Sequence, residues 1–253
     1  MRLTVLGASA TYPRPGEACN GYLLQDGAAS LVLDFGNGCM SFLSRHQDFT
    51  RLGGIVLSHL HVDHFADLYP LYYALRFHPD RPWGLPLFAP GGALELIGRI
   101  LGEESREWLP RVFAARELRH GMEAQVGGMR LTFVEARHNV EAFHCRVEGE
   151  GWSVAYSGDT LPHPGLEEAA READLFLCEA TMPRGYEKEA SHGHLTSRQA
   201  GEAARRAGAR ELLLTHIWPT FDRGVIVREA QEAFGGPTSA AEQEMRILLK
   251  ERG

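Results

Sequence analysis

The stretch Gly54-Ile55-Val56-Leu57-Ser58-His59-Leu60-His61-Val62-Asp63-His64 runs from a short apolar strand straight into four potential metal ligands. His59, His61, Asp63 and His64 stand at relative positions 0, 2, 4 and 5. Ligands on one helix face would recur every three or four residues, so this spacing belongs to an extended turn. There His59 and His61 project to one side of the strand end, and Asp63 and His64 follow as a helix begins. That helix is expected over Ala66 to Phe77, where Leu68, Leu71, Tyr72 and Leu75 recur at helical spacing. Imidazole and carboxylate donors together suit zinc, iron or manganese. Three histidines within six residues exceed what packing requires.

Outward from this turn, the chain reads as two β-rich halves. Residues 1–6, Asn20 to Gln25 and Ser30 to Leu33 alternate as strands, with a turn at Asp26-Gly27. A helix follows at Ala93 to Leu101. Further strands are expected at Arg130 to Val134, Phe143 to Val147, Trp152 to Tyr156 and Asp174 to Cys178. Thr196 with Gln199 forms a capping box that opens a helix, and Gly208 ends it. Leu212 to Leu214 returns as a strand, Val227 to Phe234 as a helix and Met245 to Leu249 as a closing strand. This order predicts an α/β chain with two sheets packed face to face and helices outside, in one domain over residues 1–253.

A site for one ion needs only three or four protein ligands, so further candidates at strand ends point to two. His138 follows the strand ending at Val134, Asp159 lies in Ser157-Gly158-Asp159-Thr160 after Tyr156, and His216 lies in Thr215-His216 after Leu214. Each is a polar residue beyond the carboxyl end of an apolar run, where a sheet delivers side chains to a shared edge.

Composition limits the partners. The chain has 253 residues, 44% of them apolar and 23% charged, with a net charge of −7. That is ordinary globular composition, large enough to bury a core without disulfides. An acidic chain without a basic run grips long polynucleotides poorly, because such binding draws on Lys and Arg neutralising phosphates. Cys19, Cys39, Cys145 and Cys178 are far apart and form no Cys-x-x-Cys pair, which reads as buried free thiols. The longest uncharged stretch, Pro82 to Leu94, is too short to cross a bilayer. The opening residues lack a signal-peptide pattern, and a cytoplasmic protein is expected.

In order, His-x-His-x-Asp-His, a lone His, Ser-Gly-Asp-Thr and Leu-Leu-Thr-His resemble the metallo-β-lactamase superfamily across residues 57–216. Leu6-Gly7-Ala8-Ser9, Cys178-Glu179-Ala180-Thr181 and His192-Gly193-His194-Leu195-Thr196-Ser197 with Gln199-Ala200 resemble its ribonuclease Z branch, in particular the short forms. The resemblance implies a four-layered αββα sandwich of two mixed sheets with the metals at the sheet edges. It implies that His59, His61 and His138 hold one divalent ion, that Asp63, His64 and His216 hold the other, and that Asp159 bridges them. Zinc is the expected metal, with manganese or iron as alternatives. Two such cations sharing one water lower its pKa towards ~7 and yield a hydroxide nucleophile. The resemblance also makes Glu179 and His194 a catalytic pair, in which the histidine protonates the departing alkoxide, and Asp63 counts among the catalytic residues as well as the ligands. Cys178 stands where the branch usually has His and reads as a packing position.

One departure bears on the substrate. Transfer-RNA-maturing ribonuclease Z enzymes carry a basic protruding arm between the motifs that here are His138 and Asp159. Only twenty residues separate those two, and their turn is Glu148-Gly149-Glu150-Gly151. The reading is therefore a dinuclear metal-dependent hydrolase acting on a small or short nucleotide-like phosphodiester. The alternatives are transfer RNA 3′ processing, a carbonyl-directed hydrolase (lactonase, thioesterase or β-lactamase), and a metal-holding sensor or partner-binding module. The aromatic run Tyr69, Tyr72, Tyr73, Phe77 and Trp83 is expected to pack against the sandwich or form a homodimer contact, ahead of stacking on bases. Arg14, Arg76 and Arg81 are candidate phosphate contacts, while His46, His78, His120, His144 and His163 show no ligand context.

Overall fold

A computed structural model describes residues 1–80 and 82–249, so Arg81 lies outside the described residues. One seven-stranded sheet contains β1 (Arg2–Gly7), β2 (Gly21–Asp26), β3 (Ala29–Phe35), β4 (Gly54–Val56), β5 (Leu85–Ala89) and β6 (Phe113–Glu117). The second contains β7 (Glu123–Val126), β8 (Met129–Glu135), β9 (Phe143–Gly149), β10 (Trp152–Tyr156), β11 (Leu175–Glu179), β12 (Leu212–Thr215) and β13 (Thr238–Ala240). The final strand, β14 (Arg246–Leu248), crosses back and pairs antiparallel with β1, so the first sheet is closed by the end of the chain. Both sheets are mixed: β3 to β6 and β10 to β13 run parallel, and the remaining pairs antiparallel.

The layers follow from side-chain alternation. Leu3, Tyr22, Leu24, Leu31 and Leu33 from the first sheet meet Val154, Tyr156, Leu175, Leu177 and Leu213 from the second in one apolar core between the sheets. Their neighbours along the same strands point the other way. Leu23, Val32 and Ile55 pack under α1 (Cys39–His46), α3 (Leu68–Arg76), α4 (Ala93–Leu101) and α5 (Glu103–Val112), with α2 (Val62–Phe65) leading into α3. Ala155, Phe176, Leu212 and Leu214 pack under α6 (Pro164–Ala170), α8 (Ser197–Ala207) and α9 (Arg223–Phe234), with the short α7 (Glu187–Ala190) between. Strands apolar on both faces demand cover on both faces, and the αββα sandwich supplies it. Cys178 faces the outer core, and all four cysteines are free and buried. No helix among the described residues is long and apolar enough to cross a membrane.

The structure refines the expected elements in two places. The helix expected over Ala66 to Phe77 is α3, one residue or two shorter at each end, and a separate single turn, α2, precedes it; the two do not merge, because Pro70 lacks an N–H and its ring would meet the Ala66 carbonyl in a continuous helix. Placed in the first turn of α3, Pro70 is harmless, and Leu68, Leu71, Tyr72 and Leu75 still form the buried face. The stretch between α2 and the second half also holds β5, α5, β6 and β7, which the sequence reading left unassigned. β6 alternates weakly, since four of its five residues are exposed at the sheet's edge.

The twenty residues between His138 and Asp159 form the β9–β10 hairpin, closed at Glu150-Gly151, where Gly149 pairs with Trp152. Parallel strands β3, β4, β10, β11 and β12 all point their carboxyl ends to one rim. Bridges Ser9–Ile217 and His59–Ala142 link loops from the two halves there.

Candidate metal centre

Every ligand candidate reaches this rim from the end of a strand. His59, His61, Asp63 and His64 follow β4, and His61 caps α2, which places Asp63 in the helix's first turn. His138 follows β8, Asp159 follows β10, and His216 follows β12. Two clusters result: His59, His61, His138 and Asp159, and Asp63, His64 and His216.

In the first cluster, His61 Nδ1 lies 3.1 Å from His59 Nε2 and 3.2 Å from His138 Nε2. In the second, His216 Nε2 lies 3.4 Å from both His64 Nε2 and Asp63 Oδ2. Asp159 Oδ2 sits between them, 3.4 Å from His64 Nε2 and His216 Nε2 and 3.7 Å from His59 Nε2. Its other oxygen, Oδ1, is buried with no hydrogen-bond partner. Donors at 2.0–2.1 Å around a tetrahedral ion are roughly 3.4 Å apart, so these separations fit a divalent cation.

The tautomers sharpen that argument. His64 Nδ1 donates to Asp34 Oδ2 at 2.7 Å. The Ser58 hydroxyl donates to the same carboxylate at 2.8 Å and so accepts from His59 Nδ1 at 3.0 Å. Likewise the Thr181 hydroxyl donates to Glu179 Oε2 at 2.7 Å and accepts from His216 Nδ1 at 2.8 Å. His138 Nδ1 donates to the Gly193 carbonyl at 2.9 Å. Four imidazoles thus spend their N–H outward and turn bare lone pairs inward at one another. Converging lone pairs repel, and a cation relieves this; outer partners that fix the ring in this way are the usual support of metal-ligating histidine. The donor set fits divalent metal.

Electrostatics agree at three of the histidines, and His64 differs. Burial pushes His59, His61 and His138 below the ordinary histidine value, keeping them neutral as ligands. Burial works to raise Asp63 and Asp159, but His216 and His64, joined by His59 at Asp159, outweigh it and hold both carboxyls well down. The buried His64 ring is raised because the Asp159 and Asp34 carboxylates overcome its desolvation.

Glu179 and His194 lie together beside the clusters. Glu179 is wholly buried at the end of β11, accepting from Thr160 N at 2.7 Å and Leu195 N at 3.1 Å. His194 Nδ1 lies 3.5 Å from Glu179 Oε1 and 3.7 Å from Asp159 Oδ2. Burial opposes its charged form, but the Glu179 carboxylate raises the ring to about 9. Asp159, His194 and His216 also form a third compact grouping of donor atoms.

Asp34 is the residue that sequence reasoning missed. Fully buried, it accepts from Ser58 N, Ser58 Oγ, His64 Nδ1 and Tyr156 OH, and so orients one histidine of each cluster. A usable signal existed, since Asp34 follows the apolar run Ser30 to Leu33 just as Asp159 follows Tyr156. Asp34 and His216 both hold left-handed backbone, with φ of 53° and 52°, a conformation that clusters at functional sites. Two glycines are required here. A Cβ on Gly158, at φ 54°, would meet Ser58 Cβ at 2.7 Å, and one on Gly193, at φ 137°, would meet His138 Nδ1 at 2.6 Å.

Other candidates lie elsewhere. Arg76 is bound to Tyr72 OH, Ser105 Oγ and Glu104 against α5, and is not a free phosphate contact. Arg14 donates to the Trp218 and Phe221 carbonyls. Tyr72 is buried, Trp83 packs on the outer core, and Tyr73 and Phe77 stack on each other at the surface. His144 and His163 bond to each other, away from both clusters.

Comparison with known proteins places this geometry in context. The profile of the beta-lactamase superfamily domain matches residues 32–217. An uncharacterized protein of Mycobacterium tuberculosis is 36% identical over 245 residues, spanning 95% of this chain and 89% of its own. The metallo-beta-lactamase fold protein YhfI of Bacillus subtilis is 30% identical over 247 residues, 95% of this chain and 97% of its own. Its crystal structure superposes with a TM-score of 0.87, covering 98% of this chain and 99% of that one. A ribonuclease Z of Ignicoccus hospitalis is 26% identical over 298 aligned positions, covering 98% of this chain and 99% of its own.

Proposed function

The chain belongs to the metallo-β-lactamase superfamily of metallo-hydrolases, and on that premise we propose that it is a dinuclear phosphodiesterase acting on a small or short nucleotide-like phosphodiester. In this reading His59, His61 and His138 hold one divalent ion, Asp63, His64 and His216 hold the second, and Asp159 serves both. Zinc is the preferred metal, with manganese or iron as alternatives. Ions held there would supply Lewis acidity to the substrate oxygens and would lower the pKa of a bound water towards ~7.

The residues of the chain do the rest. Asp34 and Glu179, through Ser58 and Thr181, keep the ligand lone pairs aimed inward. Asp63 doubles as ligand and as an acceptor able to orient a nucleophilic water. The observation that carries the phosphodiester reading is the Glu179–His194 pair: with Nδ1 facing Glu179 Oε1 at 3.5 Å, His194 has Nε2 left to give a proton to a departing alkoxide. An unprotonated alkoxide is a poor leaving group, so phosphodiester chemistry needs such a donor.

Precursor transfer RNA is disfavoured as substrate, because the β9–β10 hairpin leaves no arm and the net charge of −7 repels polyanions. A cytoplasmic setting belongs to this reading and is consistent with four unpaired, buried thiols. The test is a substrate panel at low and moderate salt: bis(p-nitrophenyl) phosphate and a dinucleotide against precursor transfer RNA, a thioester, a lactone and a β-lactam. Turnover of the small diesters above all others is expected. A higher kcat/KM on the transfer RNA at moderate salt, or on any carbonyl substrate, overturns the reading.

A further inference from the structure

On the Asp63 and His216 side of the metal centre lies a group of aromatic rings that the reaction chemistry does not use. Trp218 follows His216 by two residues, and its indole N–H donates to Thr11 Oγ1 at 2.6 Å. The Thr11 backbone N–H donates in turn to Asp63 Oδ2 at 3.0 Å. A single residue therefore stands between the indole and a carboxylate of the ligand cluster. Thr11 holds left-handed backbone at φ 57°, as His216 does at 52°. For residues other than glycine this conformation is unfavourable and persists only where the surroundings impose it.

The rings are also held in place. Phe221 lies nearly parallel to the indole, 21° apart at a centroid distance of 6.1 Å, and Tyr186 meets Phe221 edge-on at 5.0 Å. The Arg14 guanidinium donates to the carbonyls of both Trp218 and Phe221, which pins the turn that carries them. Despite this support the rings are not buried. Tyr12 is 50% exposed, Tyr186 41% and Trp218 36%. Rigid, exposed aromatic surface beside a reaction centre is what a planar ligand group requires.

We infer that Trp218, with Phe221 beside it and Tyr12 next to Thr11 in the chain, is the platform on which the base of a nucleotide stacks while its phosphate is held at the His/Asp cluster. The inference rests on the proposed phosphodiester chemistry, and it names the substrate class. A nucleotide is an anion and a planar ring separated by one ribose; the site offers a cation-binding cluster and an aromatic face separated by Thr11. Every base has a π-face, so such a platform tolerates any of them and adds affinity without reading sequence. Such a grip suits a chain of net charge −7: one phosphate goes to the metal centre and the remaining contact is apolar.

The experiment compares adenosine 5′-monophosphate with ribose 5-phosphate, which lacks the base, on the full chain supplied with zinc. Tryptophan emission and calorimetry report binding without turnover. Of the other indoles, Trp83 and Trp108 pack on each other and Trp152 lies in the core between the sheets, so quenching specific to the base reports Trp218. Adenosine 5′-monophosphate is expected to quench and to bind roughly ten-fold more tightly than ribose 5-phosphate, the scale of one stacked base. Trp218→Leu should bring that ratio close to one, whereas Trp218→Phe, which keeps a ring, should retain most of it. A trinucleotide arm distinguishes the source of the base: equal affinity assigns the platform to free nucleotides, and higher affinity to the end of an RNA chain. Equal binding of the two monophosphates to the wild type, or an undiminished ratio in Trp218→Leu, overturns the inference. Diester hydrolysis without base preference sinks the platform alone; base preference without hydrolysis of any diester sinks the proposed function and leaves the platform standing.

Discussion

The hydroxyl of Thr181 lies 2.8 Å from Nδ1 of His216 and resolves which nitrogen of that ring carries the proton. Its own proton goes to Glu179 Oε2 at 2.7 Å, because an ionised carboxylate can only accept. His216 is thereby the donor to Thr181, and its Nε2 lone pair faces Asp63 and Asp159. Glu179 consequently supports the candidate ligand His216 through Thr181 as well as facing His194.

Thr181→Val keeps the shape of the side chain and removes the relay, leaving His216 Nδ1 without its acceptor. Metal affinity should fall by roughly 10–100-fold, the usual effect of losing such an outer partner. Thr181→Ser should restore most of it. Titration of the metal-free protein with zinc, followed by calorimetry, reads both; unchanged affinity in the valine variant would show that the relay does not govern His216.

His194→Ala should retain two ions and the fold, yet lose about 10²–10⁴ in rate on diesters with poor leaving groups. The loss should shrink with p-nitrophenolate, which departs unprotonated. The competing assignment is a ligand role with Asp159 and His216, with which His194 also clusters. Elemental analysis decides: one ion in the variant where the wild type has two would make His194 a ligand.

Two ions per chain are expected under metal-replete conditions, and their removal should destabilise the fold, since inward lone pairs and two buried carboxylates then repel without compensation. Zinc binding to the native state alone raises stability by mass action, about 2.7 kcal/mol at a hundred times Kd. Thermal unfolding with and without chelator measures this. Asp159→Ala should lower both stoichiometry and rate; a variant that keeps two ions and full activity rules out the shared position of Asp159.

Acid sensitivity should come partly from His144. Burial pushes this ring from 6.5 down to about 3, even though its Nδ1 donates to the Ser157 carbonyl at 2.6 Å. Between those values the unfolded chain binds a proton that the native state refuses, so the contribution to stability is intact above about pH 6.5 and lost as pH falls towards 3. The slope is at most about 1.4 kcal/mol per pH unit. His144→Asn, which keeps a donor for Ser157, should flatten the decline of Tm between pH 7 and pH 4.5 relative to the wild type. Superimposable profiles would mean that His144 takes up its proton in the folded protein.

The sequence alone determined the parts of this protein that are local. The candidate ligands of His59-Leu60-His61-Val62-Asp63-His64 are legible because their spacing along one turn settles where they point. His138, Asp159 and His216 are legible because an apolar run ending in a polar residue marks a strand end, and strands of a sandwich end at a common rim. The capping box at Thr196 and Gln199 and the end of α8 at Gly208 are equally local, and all appear where expected. Only the tertiary structure decided that β14 joins the first sheet, that Asp34 serves His59 and His64 together, and that Trp218 reaches Thr11 across 207 residues. The physical reason is range. A turn, a cap or a strand end is set by torsions and hydrogen bonds among neighbours. The partner of a buried carboxylate or an indole N–H is set by which distant segments the packed core brings within about 3 Å, and no periodicity in the chain encodes that distance.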